Sequence, residues 1–214
     1  MHIDIVSDVI CPWCFIGKRR LARALDQRPD MAVSVTWRAF QLNPEMPDEG
    51  MPREAYLAAK FGSSAHAARI YTTITQAGAG EGIQFAFDRI RRTPSSRGAH
   101  RLIRYATMEG NSDPTVEALF SGYFEQGRDI GDPATLADIG AEAGLDRAEV
   151  TKFLAGDEAL EEVLTDDRSA RRLGISGVPC FIVDGGYAIS GAQEPEFFFP
   201  LFDLALNAAV QPVE

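Results

Sequence analysis

The sequence lacks most of what would mark a secreted disulfide scaffold, a metal protein or a nucleic-acid binder. Its 214 residues hold three cysteines, an odd and low count for a small domain stapled by bridges. Three scattered histidines accompany them and no second paired Cys or His motif follows, so a zinc site would be short of ligands. Basic residues are outnumbered, 21 Lys and Arg against 31 Asp and Glu, and the formal net charge of −10 has the wrong sign for nucleic acid or an anionic membrane surface. No apolar run approaches a membrane span. Met1-His2-Ile3-Asp4 enters a strand at once, without the basic region, apolar stretch and cleavage site of a leader. The expectation is a cytoplasmic protein, in a compartment where resting thiols are reduced. There is no internal repeat and no low-complexity tract. With 45% hydrophobic and 24% charged residues, the length suits one domain carrying an insertion, or two small ones.

What is present is concentrated at the start. Ile5-Val6-Ser7-Asp8-Val9-Ile10-Cys11-Pro12-Trp13-Cys14-Phe15-Ile16-Gly17 reads as an apolar strand, a short polar turn and a helix opened by two cysteines. The i, i+3 spacing puts both sulfurs on one side of the first helical turn, within bridging distance. Unpaired N–H groups and the positive end of the helix favour a thiolate at Cys11. Pro12 suits the first helical position, where a missing N–H costs nothing. Cys11 is therefore expected to be the exposed attacking sulfur and Cys14 the buried resolving one. Three plainer readings stay open. A structural bridge over so short a loop would stabilise little, a metal site would need further ligands, and thiols kept only for packing would not need the strand-turn-helix setting.

Further along, a helix is expected from Cys11 to about Arg28, with Leu21 and Leu25 facing inward. Val33, Val35 and Trp37 then alternate with Ser34, Thr36 and Arg38 as a second strand. The result is a β-α-β unit with the dithiol at the carboxyl end of its first strand, the edge where open α/β sheets usually place chemistry. Asn43 to Pro52 is turn-rich, and strand signals then almost vanish. Helices are expected over 53–61, 63–78, 97–109, 114–126, 133–143, 147–155 and 158–173. Asp113-Pro114 and Asp132-Pro133 read as N-cap plus proline, and Asp146 with Glu149 as a capping box. Val116, Leu119, Phe120 and Tyr123 form an apolar stripe that reads as core.

Strands return at Cys180-Phe181-Ile182-Val183-Asp184 and Tyr187-Ala188-Ile189-Ser190, joined by a Gly185-Gly186 hairpin turn. A last helix runs from about Glu194 to Ala209, with a kink at Pro200 or a start delayed to about Phe199. Phe197, Phe198 and Phe199 are expected to serve different neighbours. The order β-α-β, helices, β-β-α is that of an α/β thioredoxin fold with a large all-helical insertion. The segments are 1–43 and 161–214 for the thioredoxin part and 44–160 for the insertion.

The Cys11-Pro12-Trp13-Cys14 motif, the helical insertion and Gly177-Val178-Pro179 before a strand resemble the DsbA family of thioredoxin-fold oxidoreductases. The closer likeness is to its cytoplasmic FrnE-like branch. Gly127-Arg128-Asp129-Ile130-Gly131-Asp132 and Ile189-Ser190-Gly191-Ala192-Gln193 are also similar to that branch, so the resemblance spans essentially the whole chain. It implies a cis peptide at Val178–Pro179 opposite the dithiol, with the Val178 backbone offered to an extended client as an added strand. Pro12 and Trp13 would shape client access, Trp13 as a partly exposed lid. Cys180 stands where the family more often has an aromatic or aliphatic residue, and alternation along the strand places it inside the sheet. His100 lies in a segment where relatives read Pro-Asn-Thr before Ala-His and this chain reads Pro94-Ser95-Ser96. It either lines the cleft and tunes the thiolate or is held within the helical part. Asp8 is expected to cap the first helix; its other reading is acceptor of the Cys14 proton.

The function expected is thiol–disulfide exchange on a thiol- or disulfide-containing protein or small molecule. Glutathione is a candidate co-substrate, and no metal, bound cofactor, nucleic acid or membrane is involved. One rival is a glutathione-dependent isomerase or transferase of the 2-hydroxychromene-2-carboxylate isomerase or kappa type, which resembles this architecture. Those proteins carry Ser-Pro-x-Ser where this chain has Cys11-Pro12-Trp13-Cys14, and typically Gly-x-Asp-Arg near Gly191-Ala192-Gln193-Glu194. A second rival is a redox-sensing chaperone or binding module.

Overall fold

The computed structural model of the chain describes residues 1–62 and 64–210. Residue 63 of the helix expected over 63–78, and the last four residues of the 161–214 segment, lie outside the described residues. The sheet is built on β1 (His2–Ser7), where buried Ile3 and Ile5 alternate with half-buried His2 and Asp4, the period of a strand with two unlike faces. β2 (Ser34–Ala39) pairs with it in parallel on one side, after the crossover helix α1 (Pro12–Asp26). β5 (Cys180–Val183) pairs antiparallel on the other side and β6 (Tyr187–Ser190) closes the order β2-β1-β5-β6. The register sets Ile5 beside both Trp37 and Phe181, and Val6 beside Cys180.

Between β2 and β5 come β3 (Met51–Pro52), α2 (Arg53–Phe61), α3 (Ser64–Ala79), β4 (Arg92–Thr93), α4 (Arg97–Met108), α5 (Ser112–Phe124), α6 (Pro133–Glu142), α7 (Arg147–Ala155) and α8 (Leu160–Arg172). The β3–β4 ladder was not expected, because two-residue strands carry no periodicity to read. α5 begins earlier than its Asp113-Pro114 signal suggests: Asn111 is the N-cap, and the Asp113 carboxylate takes the Lys18 ammonium at 3.0 Å instead. Both residues still fall in the first turn, where an acid is favoured by the helix dipole and a proline is tolerated. At α6 and α7 the expected caps are in place: Asp132 accepts from the Thr135 N–H, and Asp146 from the Ala148 and Glu149 N–H groups. Among the described residues no helix is long and apolar enough to cross a membrane.

The stripe Val116, Leu119, Phe120 and Tyr123 is fully buried. From α1, Phe15 stacks on Phe120 with ring centres 5.1 Å apart, and this joins the helix that carries the dithiol to the helical segment. At the tail a 3-10 turn (Pro195–Phe197) precedes α9 (Phe199–Val210), the delayed start that Pro200 demands. Phe198 is buried edge-on against Phe181, Phe199 lies under the Arg28 guanidinium, and Phe197 is exposed. The β5–β6 turn centres on Asp184-Gly185, both with positive φ, rather than on Gly185-Gly186. Asp-Gly is the pair that a type I′ hairpin prefers, and Gly186 N–H closes the turn on Val183 O at 3.1 Å.

Candidate active site

Cys11 is the N-cap of α1 and Pro12 its first residue; no side chain caps this end and no acid lies in the first turn. The Cys14 N–H donates to Cys11 O at 3.0 Å, so one turn of backbone holds both cysteines. Both thiols are free. Cys11 is only 5% exposed, which corrects the expectation of an exposed sulfur. Its thiol is turned from solvent and donates to Val178 O at 3.5 Å, across to the other segment of the fold. The Val178–Pro179 peptide is cis. Val178 is half-buried and Pro179 buried; Pro12 and Trp13 are half-buried, with Trp13 packed on the core.

Gly17 sets how closely these segments approach. A Cβ there would lie 2.8 Å from Pro179 Cγ and 3.1 Å from Phe181 Cζ, so a residue without a side chain is needed where α1 crosses the proline. No role had been assigned to it from the sequence, although it lies one turn beyond Cys14 on the same helix.

Cys14 is 1% exposed. Burial pushes its pKa well above the ordinary thiol value, and the neighbouring Cys11 sulfur pushes the same way; the Ser7 hydroxyl and the Asp8 backbone oppose them in part. The two sulfurs therefore resist being thiolates together. Cys180 is likewise buried, inside the sheet against Val6, Phe40 and Ala170, with the Ser190 hydroxyl donating to its sulfur at 3.8 Å. Burial pushes this thiol up as well.

Asp8 is fully buried and does not cap α1. Its backbone carbonyl, not its carboxylate, meets the start of the helix by accepting the Cys11 N–H at 3.0 Å. The carboxylate turns the other way, accepting from the Leu42 N–H at 2.7 Å and the Ile10 N–H at 3.3 Å. His100, from α4, is also buried, and its Nε2 lies 3.5 Å from Asp8 Oδ1 and 3.2 Å from Phe40 O. The histidine thus reaches out of the helical segment to the end of β2. Two further acids, Asp166 and Asp167 on α8, accept the Ala39 and Gln41 N–H groups, and Arg171 holds Gln41 O at 2.6 Å. Residues 39–42 are fixed by three carboxylates from two places in the chain, Asp8 and the Asp166-Asp167 pair. Sequence spacing gives no sign of this, apart from the polar Ser7-Asp8 pair that ends an apolar strand.

A free dithiol at the start of the first helix, faced by a cis X-Pro loop on a sheet of order β2-β1-β5-β6, defines a thioredoxin-fold protein. The chain belongs to the DSBA-like thioredoxin domain family, whose model matches residues 2–200. It is 32% identical to the crystal structure of a probable DsbA oxidoreductase from Streptomyces coelicolor, covering 100% of this chain and 93% of that one with a TM-score of 0.88. More distantly it shares the fold of the cytosolic disulfide reductase DsbM from Pseudomonas aeruginosa, at 20% identity, TM-score 0.70, and coverage of 97% and 100%. It also shares the fold of 2-hydroxychromene-2-carboxylate isomerase, at 17% identity, TM-score 0.71, and coverage of 99% and 100%. The last two similarities speak for the fold alone.

Proposed function

We propose that this chain is a cytoplasmic thiol–disulfide oxidoreductase of the FrnE-like branch, working through Cys11 and Cys14. The observation that carries the reading is the placement of Cys11 Sγ against Val178 O, at the uncapped positive end of α1, with Cys14 buried one turn behind it. In the reducing direction the Cys11 thiolate attacks a client disulfide. The client's S–S bond breaks, one client sulfur leaves with the electron pair, and the other stays bonded to Cys11. Cys14 then gives up its proton and attacks Cys11 Sγ; the second client sulfur leaves, and the dithiol has become a disulfide. The oxidising direction is the reverse, and the balance depends on the potential against the compartment, about tenfold for every 30 mV.

The order of events follows from the pair. Burial first, and the Cys11 sulfur second, keep the proton on Cys14. Once Cys11 is a mixed disulfide the second of these is gone, and Cys14 gives its proton to a base more readily. Asp8 is the acceptor this reading assigns to that proton: its backbone meets Cys11, and its carboxylate, held by the Leu42 and Ile10 N–H groups, has His100 Nε2 3.5 Å away. The client enters where Cys11 is now sheltered. Its backbone pairs with Val178 as an added strand, displacing the Cys11 thiol from Val178 O, while Trp13 and Pro12 border the approach. Exposed Gly174, Ser176 and Gly177 lie on an open cleft of ≈590 Å³ next to Val178, which gives an extended segment room. Glutathione fits the same role as a co-substrate. Two thiols at positions where the isomerase chemistry uses hydroxyls support exchange over that alternative.

The test is capture. Cys14→Ala expressed in cytoplasm retains whatever is disulfide-linked to Cys11. Protein clients or glutathione released by reductant support the reading. A Cys11 that acquires no adduct, with glutathione-dependent isomerisation surviving Cys11→Ser and Cys14→Ser, overturns it.

A further inference from the structure

A second cleft is lined from Leu42 onward. It has a volume of ≈430 Å³, within the range of small-molecule sites, and lies between the 42–51 connection and α2. Its walls are mostly apolar: Leu42, Pro44, Met46, Pro47 and Met51, with Ala59 on the helix side. Two rigid prolines fix the opening, and two methionines supply pliant walls suited to an aromatic or irregular apolar body. At the polar end, the Lys60 ammonium donates to the Tyr56 hydroxyl at 2.6 Å, and the Asn43 amide reaches the same hydroxyl at 3.5 Å.

Lys60 is unusual in this chain. Of three lysines, Lys18 is paired with Asp113 and Glu117, and Lys152 with Glu149. Among the described residues Lys60 has no carboxylate partner, although acids outnumber bases by 31 to 21. An ammonium has three donors, and one is used here. The other charged group on the cleft wall, Glu45, is exposed to solvent.

The cleft wall is joined to the dithiol through the side chain and backbone of Asp8. The Leu42 N–H donates to Asp8, and Asp8 O accepts the Cys11 N–H, so the cleft wall stands two hydrogen bonds from the attacking cysteine. We propose that this cleft holds the apolar body of a small thiol or disulfide client that bears one carboxylate, seated on Lys60, while its sulfur is presented to Cys11. This names the substrate class of the exchange proposed above and rests on that reading.

The five methionines make the cleft directly observable, since Met46 and Met51 line it and Met1, Met31 and Met108 do not. Full-length protein with carbon-13 methionine methyls is titrated with naphthylacetate and, separately, with uncharged naphthylethanol. Naphthylacetate is expected to shift the Met46 and Met51 signals saturably and leave the other three in place. Lys60→Gln is expected to weaken naphthylacetate by about threefold, the scale of one exposed ion pair, and leave naphthylethanol unchanged. Lys60→Arg restores the difference, and Lys152→Gln does not alter it. Saturating naphthylacetate also slows disulfide formation between Cys11 and an aromatic carboxylated disulfide. Unshifted Met46 and Met51, equal effects of Lys60→Gln on both probes, or an undiminished Cys11 rate at saturation overturns the proposal. The methyl titration needs no thiol, so it fails or succeeds separately from the capture of adducts on Cys11.

Discussion

The helix that carries the dithiol and the helices of the insertion begin in opposite ways. α6 and α7 start under carboxylates, Asp132 and Asp146, which accept the free N–H groups of their first turns. α1 starts under a sulfur: no side chain caps it, no acid lies in its first turn, and the acid nearest in sequence, Asp8, points to Leu42 instead. Where an end serves only stability, the chain has filled it. Where it serves chemistry, the chain has left its positive pole to Cys11 and bound the nearby carboxylate into a separate buried pair with His100. The cap that would stabilise α1 is the group that would compete with the thiolate.

The comparison breaks most completely at the sulfurs. Cys11→Ala is expected to abolish exchange with any disulfide, measured by the rate of dithiol oxidation, while the fold and its melting are kept. Next in size is Asp8→Asn, which keeps an acceptor for the Leu42 N–H and removes the carboxylate. Resolution of the Cys11 mixed disulfide should slow by up to about a hundredfold, the lower range for loss of a positioned general base. Raising the pH should restore part of the rate, as solvent base takes over deprotonation of Cys14. A mixed disulfide that resolves at the wild-type rate at pH 7 would show that Asp8 only fixes Leu42.

Gly17→Val comes third. The added side chain meets Pro179 and Phe181. Denaturant unfolding should show a loss of about 2 kcal/mol, within the usual cost of overpacking a filled contact. The exchange rate should fall with it, because Pro179 is displaced from Cys11. If stability drops and the rate does not, the proline does not need its present distance from α1. The raised pKa of Cys14 makes a further, smaller mark on the reduced protein. A thiol whose folded pKa lies above the unfolded one contributes stability fully present below about pH 8.5 and lost as pH rises toward the folded value. Reduced wild type should therefore lose more stability than Cys14→Ala between pH 8 and pH 10.

How much of this could be read in the sequence depended on how local the cause was. The four strands of the main sheet, the insertion helices and the delayed start of α9 follow from alternation, 3.6-residue periodicity, proline and caps. Each is written within a dozen residues. Cys180 was placed inside the sheet by alternation alone, and it is there. Elsewhere the local signal is ambiguous or the cause is distant. Asp-Pro fits two positions of a first turn equally well, so its spacing alone does not separate Asp113 as a cap from Asp113 inside the turn. The hairpin was centred one residue late because Asp184-Gly185 and Gly185-Gly186 both permit positive φ. Cys11 was expected to be exposed because its burial is set by Val178, 167 residues away. The carboxylates that fix residues 39–42 were missed for the same reason: Asp8, Asp166 and Asp167 meet one short stretch from both ends of the chain.

The smallest effect tests the other half of the comparison, the capped helices. The Thr135 hydroxyl and N–H hold the Asp132 carboxyl below its ordinary range. A carboxylate depressed by folding contributes stability that is present above the unfolded pKa and lost as pH falls through the folded one. Asp132→Ala should therefore cost about 1 kcal/mol at pH 7, the usual value of an N-cap, and progressively less below about pH 4 as the wild-type carboxylate is neutralised. Denaturant titrations at pH 7 and pH 3 would show the gap closing. The rate of Cys11 oxidation should be the same in both proteins at pH 7, because Asp132 caps a helix of the insertion and the charge at the start of α1 is set locally, within the last turn that a helix dipole reaches. A cost at pH 7 that persists undiminished at pH 3 would mean that Asp132 acts through packing and not through its charge, and the contrast between a carboxylate-capped helix and one left uncapped would then lose its electrostatic basis.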